Sequence, residues 1–223
     1  MIVSKFGGTS VGTFKAMQHS ASIVADHSDR KLIVISATSG TTNDLVALEN
    51  SNISSTEREQ LLIHINDRHL SIISSLKERK KVLNTFQRQM SELRAHLDQY
   101  GRDKRWKDRL YAFGELMSTR IFVEVLKENG VNAEWLDARR VIKTDSTFGN
   151  AVPELVSIQK KAAAFIDKNS LLLTQGFIGS DIFGSTTTLG RGGSDYSAAL
   201  FAEAVGADKL EIWTDCLLYT SDA

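Results

Sequence analysis

Short apolar runs alternate along the chain with longer segments whose apolar residues recur at helical spacing. The continuous run KLIVI at residues 31–35 is typical of a strand covered on both faces. The pattern predicts strands at residues 2–6, 31–35, 131–136, 171–174 and 209–214, with a further short strand at 140–142. It predicts helices at about residues 10–26, 106–129, 153–167 and 194–205.

Residues 56–100 differ from this alternation because they contain two consecutive amphipathic helices with charged outer faces. We expect them to form a helical hairpin away from any functional site. His64 and His69 in this segment are five residues apart, which is not the i, i+4 spacing of a helical metal pair. They are therefore interpreted as packed or solvated histidines.

Strands that alternate with helices indicate an α/β fold with a mostly parallel sheet covered by helices. In such sheets, ligands bind beyond the carboxyl ends of the strands. Small polar and glycine-rich loops follow several of the predicted strands, so the candidate chemistry is expected at that edge.

Charge and composition exclude several classes of partner. The chain has 223 residues, with 27 Lys+Arg and 27 Asp+Glu, so its formal net charge is zero. It has no general attraction for nucleic acid or an anionic membrane, and no apolar run approaches the roughly 18 residues of a membrane span. The start at residues 1–5, MIVSK, is too short and too soon interrupted to be a secretory signal. The single Cys216 cannot form an internal disulfide, which fits a reducing, cytoplasmic compartment.

The glycines that carry candidate chemistry form two blocks, the first of which follows the first predicted strand. Gly7 and Gly8 lie between Lys5 and a helix start, where free backbone amides and the helix dipole attract anions. The alternative is a tight turn beside a surface lysine. The segment is not a Walker A loop, because that motif places its lysine after the glycines.

The second block, TTTLGRGGSDYS at residues 186–197, precedes a predicted helix. Arg191 can bind a carboxylate or phosphate with two parallel hydrogen bonds. Asp195 falls in the first helical turn, where it could cap the helix or orient a lysine or metal near a transferring phosphate.

Six ordered motifs together resemble the aspartokinases of the amino acid kinase family, most closely the lysine-sensitive monofunctional type. The motifs are KFGGTSV at 5–11, SATSGTTN at 36–43, FGELMS at 113–118, TQGFIG at 174–179, TTLGRGGSDY at 187–196 and IWTD at 212–215. The resemblance implies a three-layer sandwich of the carbamate kinase type. It also implies phosphorylation of the L-aspartate side-chain carboxylate by ATP with Mg²⁺, and no separate metal site.

The resemblance also implies roles for individual residues. The catalytic residues would be Lys5 and Asp195, and the nucleotide-binding residues would be Lys5, Gly7, Gly8, Thr9, Thr214 and Asp215. The substrate-binding residues would be Ser36, Thr42, Glu115, Arg191 and Ser194. Within that set, Arg191 would bind the α-carboxylate of aspartate and Glu115 would bind its ammonium group. Taken alone, Glu115 could equally be a solvated residue of a helix face, and Thr42 a simple cap.

After Asp215 the sequence departs from the family pattern, which continues with a proline-glycine turn. We therefore expect residues 1–215 to be the N-terminal part of a kinase catalytic domain, incomplete at its C-terminus. Residues 216–223 would be an atypical tail, and the regulatory ACT domains and the homodimer of full-length relatives lie beyond this sequence. Two alternatives stay open: a non-catalytic fragment that binds only aspartate or phosphate, and another kinase of the same fold.

Overall fold

All five predicted principal strands lie in one parallel sheet of the computed structural model, which describes residues 1–99, 101–166 and 170–214. The strands of this part of the chain are β1 Ile2–Phe6, β2 Arg30–Ile35, β3 Ala133–Leu136, β4 Leu171–Gln175, β5 Ile178–Ser180, β6 Thr186–Thr188 and β7 Lys209–Trp213. The main sheet has the order β3-β4-β2-β1-β7, and every neighbouring pair is parallel. The short strands β5 and β6 form a separate antiparallel hairpin.

The helices lie close to the predicted ones, with ends that differ by a few residues, and a further helix precedes the hairpin. They are α1 Phe14–Ala25, α2 Thr41–Leu48, α3 Ser55–Ile73, α4 Arg79–Leu97, α5 Lys104–Glu128, α6 Leu155–Phe165 and α7 Gly193–Val205. Side-chain caps explain several starts: Ser54 forms a capping box at α3, and the Asp103 carboxylate accepts from the Trp106 amide at α5.

Successive residues of the central strands belong to two different apolar cores. Ile33 and Ile35 pack in the core that contains α1 to α5, whereas Leu32 and Val34 pack in the core that contains α6 and α7. Side chains of a strand alternate between the two faces of a sheet, so both faces are covered. The fold is therefore a three-layer α/β sandwich, as the sequence predicts.

Helices α3 and α4 form the predicted hairpin. His69 is fully buried there, its Nδ1 lies 2.7 Å from the Ile65 carbonyl oxygen, and burial lowers its pKa to about 4. It is thus a packed, neutral histidine. The hairpin is closer to the functional edge than expected, because Arg68 of α3 forms a 2.7 Å ion pair with Asp44 in the first turn of α2.

Three local predictions are wrong. Residues 140–142 do not form a strand: a 3₁₀ turn spans Ala138–Arg140, capped by the Asp137 carboxylate. The first predicted helix begins with a 3₁₀ turn, Thr9–Val11, and α1 starts only after Thr13 caps it. The predicted helix at 153–167 spans Leu155–Phe165, because Pro153 pairs with Thr144 in an isolated bridge. In the part of the chain that the structure describes, no helix is long and apolar enough to cross a membrane.

Candidate functional site

A cavity of about 460 Å³ lies at the carboxyl edge of the sheet, where the sequence predicts the chemistry. The loops after β1 and β2, helix α5 and the loop that enters α7 all contribute to its wall. Its lining residues include Lys5, Gly8, Ser36, Thr42, Glu115, Arg191, Ser194 and Asp195. These are eight of the twelve site residues that the resemblance implied. They come from segments up to 190 residues apart in the chain, so only the fold brings them together.

Lys5 and Asp195 form an ion pair at the centre of this arrangement. The Nζ atom of Lys5 lies 2.6 Å from Oδ1 of Asp195. Lys5 is only 8% exposed, and in β1 it pairs with Val34 of β2 and Ile212 of β7. The Asp195 side chain lies in the first turn of α7 and is about half exposed. A buried ammonium of this kind is held at one position, where it can bind an anion that enters the cavity.

The two glycines after β1 have different environments. At Gly8, a Cβ atom would lie 2.8 Å from the Ala37 carbonyl oxygen, so the close approach of these two loops requires glycine. The Gly8 carbonyl also accepts a 3.1 Å hydrogen bond from the Ser39 amide. The Gly7 amide instead donates to the Trp213 carbonyl at 3.2 Å, and Gly7 does not line the cavity. A phosphate contact from Gly7 would require that bond to be exchanged.

The loop before α7 presents Arg191 at the cavity. Gly190 and Gly192 on either side have φ values of 75° and 73°, in the left-handed region that favours glycine. Arg191 is exposed, and its guanidinium forms no hydrogen bond or ion pair with residues 1–99, 101–166 or 170–214. Its donors are therefore available to an anionic ligand.

Glu115 faces the same cavity from α5. It is 4% exposed, and its carboxylate accepts a 3.2 Å hydrogen bond from the Ala37 amide. The neighbouring Gly114 permits this approach, because a Cβ atom there would lie 2.8 Å from Cβ of Ala37. Burial raises the pKa of Glu115 to about 8. A cation in the cavity would offset that desolvation and restore the charged carboxylate.

Hydroxyl groups and two helix starts complete the wall. Thr42 lies in the first turn of α2 and Ser194 in the first turn of α7, so the positive ends of both helix dipoles meet the cavity. Ser36 follows β2, and its carbonyl accepts from the Ser118 hydroxyl at 2.8 Å. Together with Arg191 and Lys5, this wall favours a ligand with more than one negative group, whereas Glu115 favours a cationic group.

The remaining nucleotide-side residues do not line this cavity. Thr9 and Thr214 line a different cavity of about 300 Å³, between α1 and the end of β7. Asp215 lies outside the described residues. The structure therefore gathers the substrate-side residues and Gly8 into one site, and it does not bring Gly7, Thr9 and Thr214 into that site.

Two residues of the wall had no role assigned from the sequence. Phe177 has a φ of 67°, uncommon for a non-glycine residue, and its amide donates to the Ser197 hydroxyl at 2.8 Å. Thr38 is 1% exposed, and its hydroxyl oxygen has no hydrogen-bond partner among the described residues. Both lie within motifs named above, at 36–43 and 174–179, but their spacing alone gives no sign of a buried hydroxyl or a left-handed backbone.

Comparison with known proteins gives consistent matches. The model of the amino acid kinase family matches residues 1–223. The chain is similar to lysine-sensitive aspartokinase 3 of Escherichia coli strain K12, with 42% identity over 100% of this chain and 51% of that protein. It is also similar to the aspartokinase of Chlamydia muridarum, with 34% identity over 96% of this chain and 48% of that protein. The chain thus spans about half the length of the curated relatives it matches.

Solved structures agree with this. The crystal structure of E. coli aspartokinase III in complex with aspartate and ADP has a TM-score of 0.93 and 41% identity, covering 96% of this chain and 49% of that one. The aspartate kinase of Clostridium acetobutylicum has a TM-score of 0.78 at 23% identity, covering 96% and 48%, and supports the fold alone.

Proposed function

This chain belongs to the amino acid kinase family, and we propose that it carries the substrate side of an aspartate kinase. The reaction would transfer the γ-phosphoryl group of ATP to the side-chain carboxylate of L-aspartate and give 4-phospho-L-aspartate, the first step towards lysine, methionine and threonine. The observation that carries this proposal is that Glu115, Arg191 and the Lys5–Asp195 pair line one cavity. The similarity to aspartokinases over the whole chain supports the choice of substrate.

The charges in the cavity match the three charged groups of aspartate. Arg191 would bind the α-carboxylate through two parallel hydrogen bonds, and Glu115 would bind the ammonium group. The side-chain carboxylate would then lie towards Lys5, with the hydroxyls of Ser36, Thr42 and Ser194 orienting the two carboxylates. A buried Glu115 selects strongly for a cationic group, because an uncompensated carboxylate is costly there.

Phosphoryl transfer asks mainly for positioning and for neutralisation of charge. The ammonium of Lys5 would hold an oxygen of the transferring group, and Asp195 would keep that ammonium in place through their ion pair. Mg²⁺ would arrive with ATP, since it is usually bound through substrate phosphates together with one or two carboxylates. When bound there, it would neutralise part of the phosphate charge.

The nucleotide would extend from Lys5 and Gly8 past the end of β1 towards β7. On this proposal Gly7, Thr9, Thr214 and Asp215 belong to the nucleotide side, and residues 1–215 are the N-terminal part of the kinase domain. The rest of the nucleotide site, the regulatory ACT domains and the homodimer would belong to the remainder of a full-length protein, which would act in the cytoplasm.

A second candidate is a fragment that binds aspartate or phosphate without turnover. The half-length match to the aspartokinases favours it, because catalysis requires fixed charges around the whole nucleotide. We expect this chain to bind aspartate and to be nearly inactive by itself.

Two measurements test the proposal. Calorimetry should detect binding of L-aspartate and much weaker binding of L-glutamate and of acetylglutamate; a preference for either of those two would favour another kinase of the same fold. A hydroxylamine trap for acyl phosphate, run with aspartate, ATP and Mg²⁺, should give little product with this chain and robust product after addition of the C-terminal half of an aspartokinase. Absence of any aspartate binding would contradict the assignment.

A further inference from the structure

Asp108 is a buried carboxylate that the proposed reaction does not use. It lies in α5, is 0% exposed, and precedes Glu115 by seven residues. Seven residues correspond to about two helical turns, so Asp108 and Glu115 lie on the same face of α5, roughly 10 Å apart along its axis.

The carboxylate of Asp108 accepts three hydrogen bonds. Its Oδ1 accepts from the Thr188 hydroxyl at 2.8 Å, and its Oδ2 accepts from the amides of Thr188 at 2.8 Å and Gly149 at 3.0 Å. Burial raises the pKa of Asp108, and these hydrogen bonds act in the opposite direction. The donors that contact the carboxylate are thus one hydroxyl and two backbone amides.

The partners of Asp108 support the loop that carries Arg191. Thr188 is the last residue of β6, three residues before Arg191, and its carbonyl accepts a 2.9 Å bond from the Ala151 amide. The segment that contains Gly149 also places Asn150 against Gly190, where a Cβ atom would lie 2.5 Å from the Asn150 side-chain oxygen. Asp108 therefore anchors both the strand that enters the Arg191 loop and the segment that packs against it.

We infer that Asp108 is a positioning residue that fixes Arg191 relative to Glu115, and so sets the spacing between the two groups that bind aspartate. The inference rests on the proposed function for the identity of the ligand. Two of the three hydrogen bonds join the helix that carries Glu115 directly to the strand that leads to Arg191, and the third joins it to the Gly149 segment that packs against the Arg191 loop. An apolar side chain could fill the same volume, but it could not fix the direction of that strand.

Loss of the hydrogen bonds to Asp108 should lower the affinity for L-aspartate, because the position of Arg191 would change. In Asp108→Asn, the amide group cannot accept all three hydrogen bonds, so the donors of Thr188 and Gly149 are no longer all satisfied. A displacement of about an ångström at a site of this kind can cost a hundredfold. We expect the Kd for L-aspartate to rise about 10- to 100-fold, and Thr188→Val, which removes only the hydroxyl donor, to have a smaller effect in the same direction.

Asp137→Asn is the matched control. Asp137 is a half-buried carboxylate that accepts hydrogen bonds from the Arg139 side chain and amide, and it does not line the aspartate cavity. This control should lose stability without losing aspartate affinity by more than about threefold. Thr188→Ser keeps the hydroxyl and amide donors to Asp108, so it should bind L-aspartate with wild-type affinity, unlike Thr188→Val.

Amide hydrogen exchange of residues 188–193 in the ligand-free chain provides a readout that does not depend on aspartate. We expect faster exchange there in Asp108→Asn than in Asp137→Asn. If the wild-type chain binds aspartate and Asp108→Asn binds it within threefold, the inference is wrong although the proposed function stands. If the wild-type chain binds no aspartate, the proposed function is wrong. Unchanged amide exchange at residues 188–193 in Asp108→Asn would show that Asp108 does not anchor the loop, whatever the binding result.

Discussion

Replacing Glu115 by glutamine should make the ligand-free chain more stable and unable to bind aspartate. The pKa of Glu115 is raised from 4.5 to about 8 by burial. A neutral carboxyl group is therefore favoured in the folded chain, and the contribution of this group to stability falls as the pH rises from 4.5 to 8. At about 1.4 kcal/mol per pKa unit, the full effect is on the order of 5 kcal/mol above pH 8.

Glutamine removes this pH-dependent loss and can still accept a hydrogen bond from Ala37, but its amide group needs a new partner. We expect Glu115→Gln to gain roughly 2–4 kcal/mol at pH 8.5, which corresponds to roughly 5–12 °C in Tm for a chain of this size. At pH 5 the two chains should differ little. Thermal unfolding followed by circular dichroism at both pH values measures the difference, with Glu124→Gln on the same helix as the control.

The same ionisation should be visible in ligand binding. If the ammonium of aspartate pairs with ionised Glu115, binding at pH 7 releases about 0.9 proton, falling to about 0.2 at pH 8.5. Calorimetry in buffers of different ionisation enthalpy measures this number, and the affinity should drop roughly 50-fold or more from pH 8.5 to pH 6. A Glu115→Gln chain that is destabilised equally at pH 5 and 8.5, or that binds aspartate as tightly as the wild type, would refute the argument.

Two further substitutions separate binding from folding. Arg191→Ala should weaken aspartate binding by about 2–5 kcal/mol without changing Tm, because the Arg191 side chain bonds no described residue. Arg88→Ala is the exposed control. An equal loss of ATP affinity in Arg191→Ala would count against the assignment of Arg191 to the α-carboxylate. Gly8→Ala should lower the free energy of unfolding by about 1–3 kcal/mol, because the added Cβ would meet the Ala37 carbonyl oxygen. Gly7→Ala is the control, since its Cβ would have no neighbour closer than 3.7 Å. If urea titrations give the two variants the same midpoint, the loops can separate and the reasoning is wrong.

The main sheet could be predicted from the sequence because its strands are short segments rich in apolar residues and bounded by glycine or polar residues. The strands β5 and β6 could not, since each has only three residues and β6 consists of three threonines, which have no apolar alternation. The strand predicted at 140–142 is wrong for a different reason. Val141 and Ile142 are apolar and buried, as in a strand, but the Asp137 cap turns the backbone before them. Burial alone does not distinguish a strand from a turn.

For the site, the sequence indicates which residue types meet but not which amides are already engaged. The Gly7 amide is held by Trp213, a partner 206 residues away that no local pattern reveals. The sequence gives no sign of Asp108 for a related reason, because its donors lie in a distant loop and a distant short strand, and its position in α5 resembles that of any polar helical residue. Long-range hydrogen bonds of this kind are a property of the fold and have no signature in spacing.

The position of β1 in the sheet has a consequence for the order in which the chain folds. β1 pairs on one side with β2, about 30 residues later, but on the other side with β7, which is more than 200 residues later. At about 5–20 residues per second, the second partner leaves the ribosome roughly 10–40 s after the first. Throughout that interval one edge of β1 stays unpaired, and the ammonium of Lys5 has no carboxylate until Asp195 is synthesised. The Lys5–Asp195 ion pair is thus among the last contacts that translation makes possible, so early chaperone contact should concentrate on the N-terminal strand.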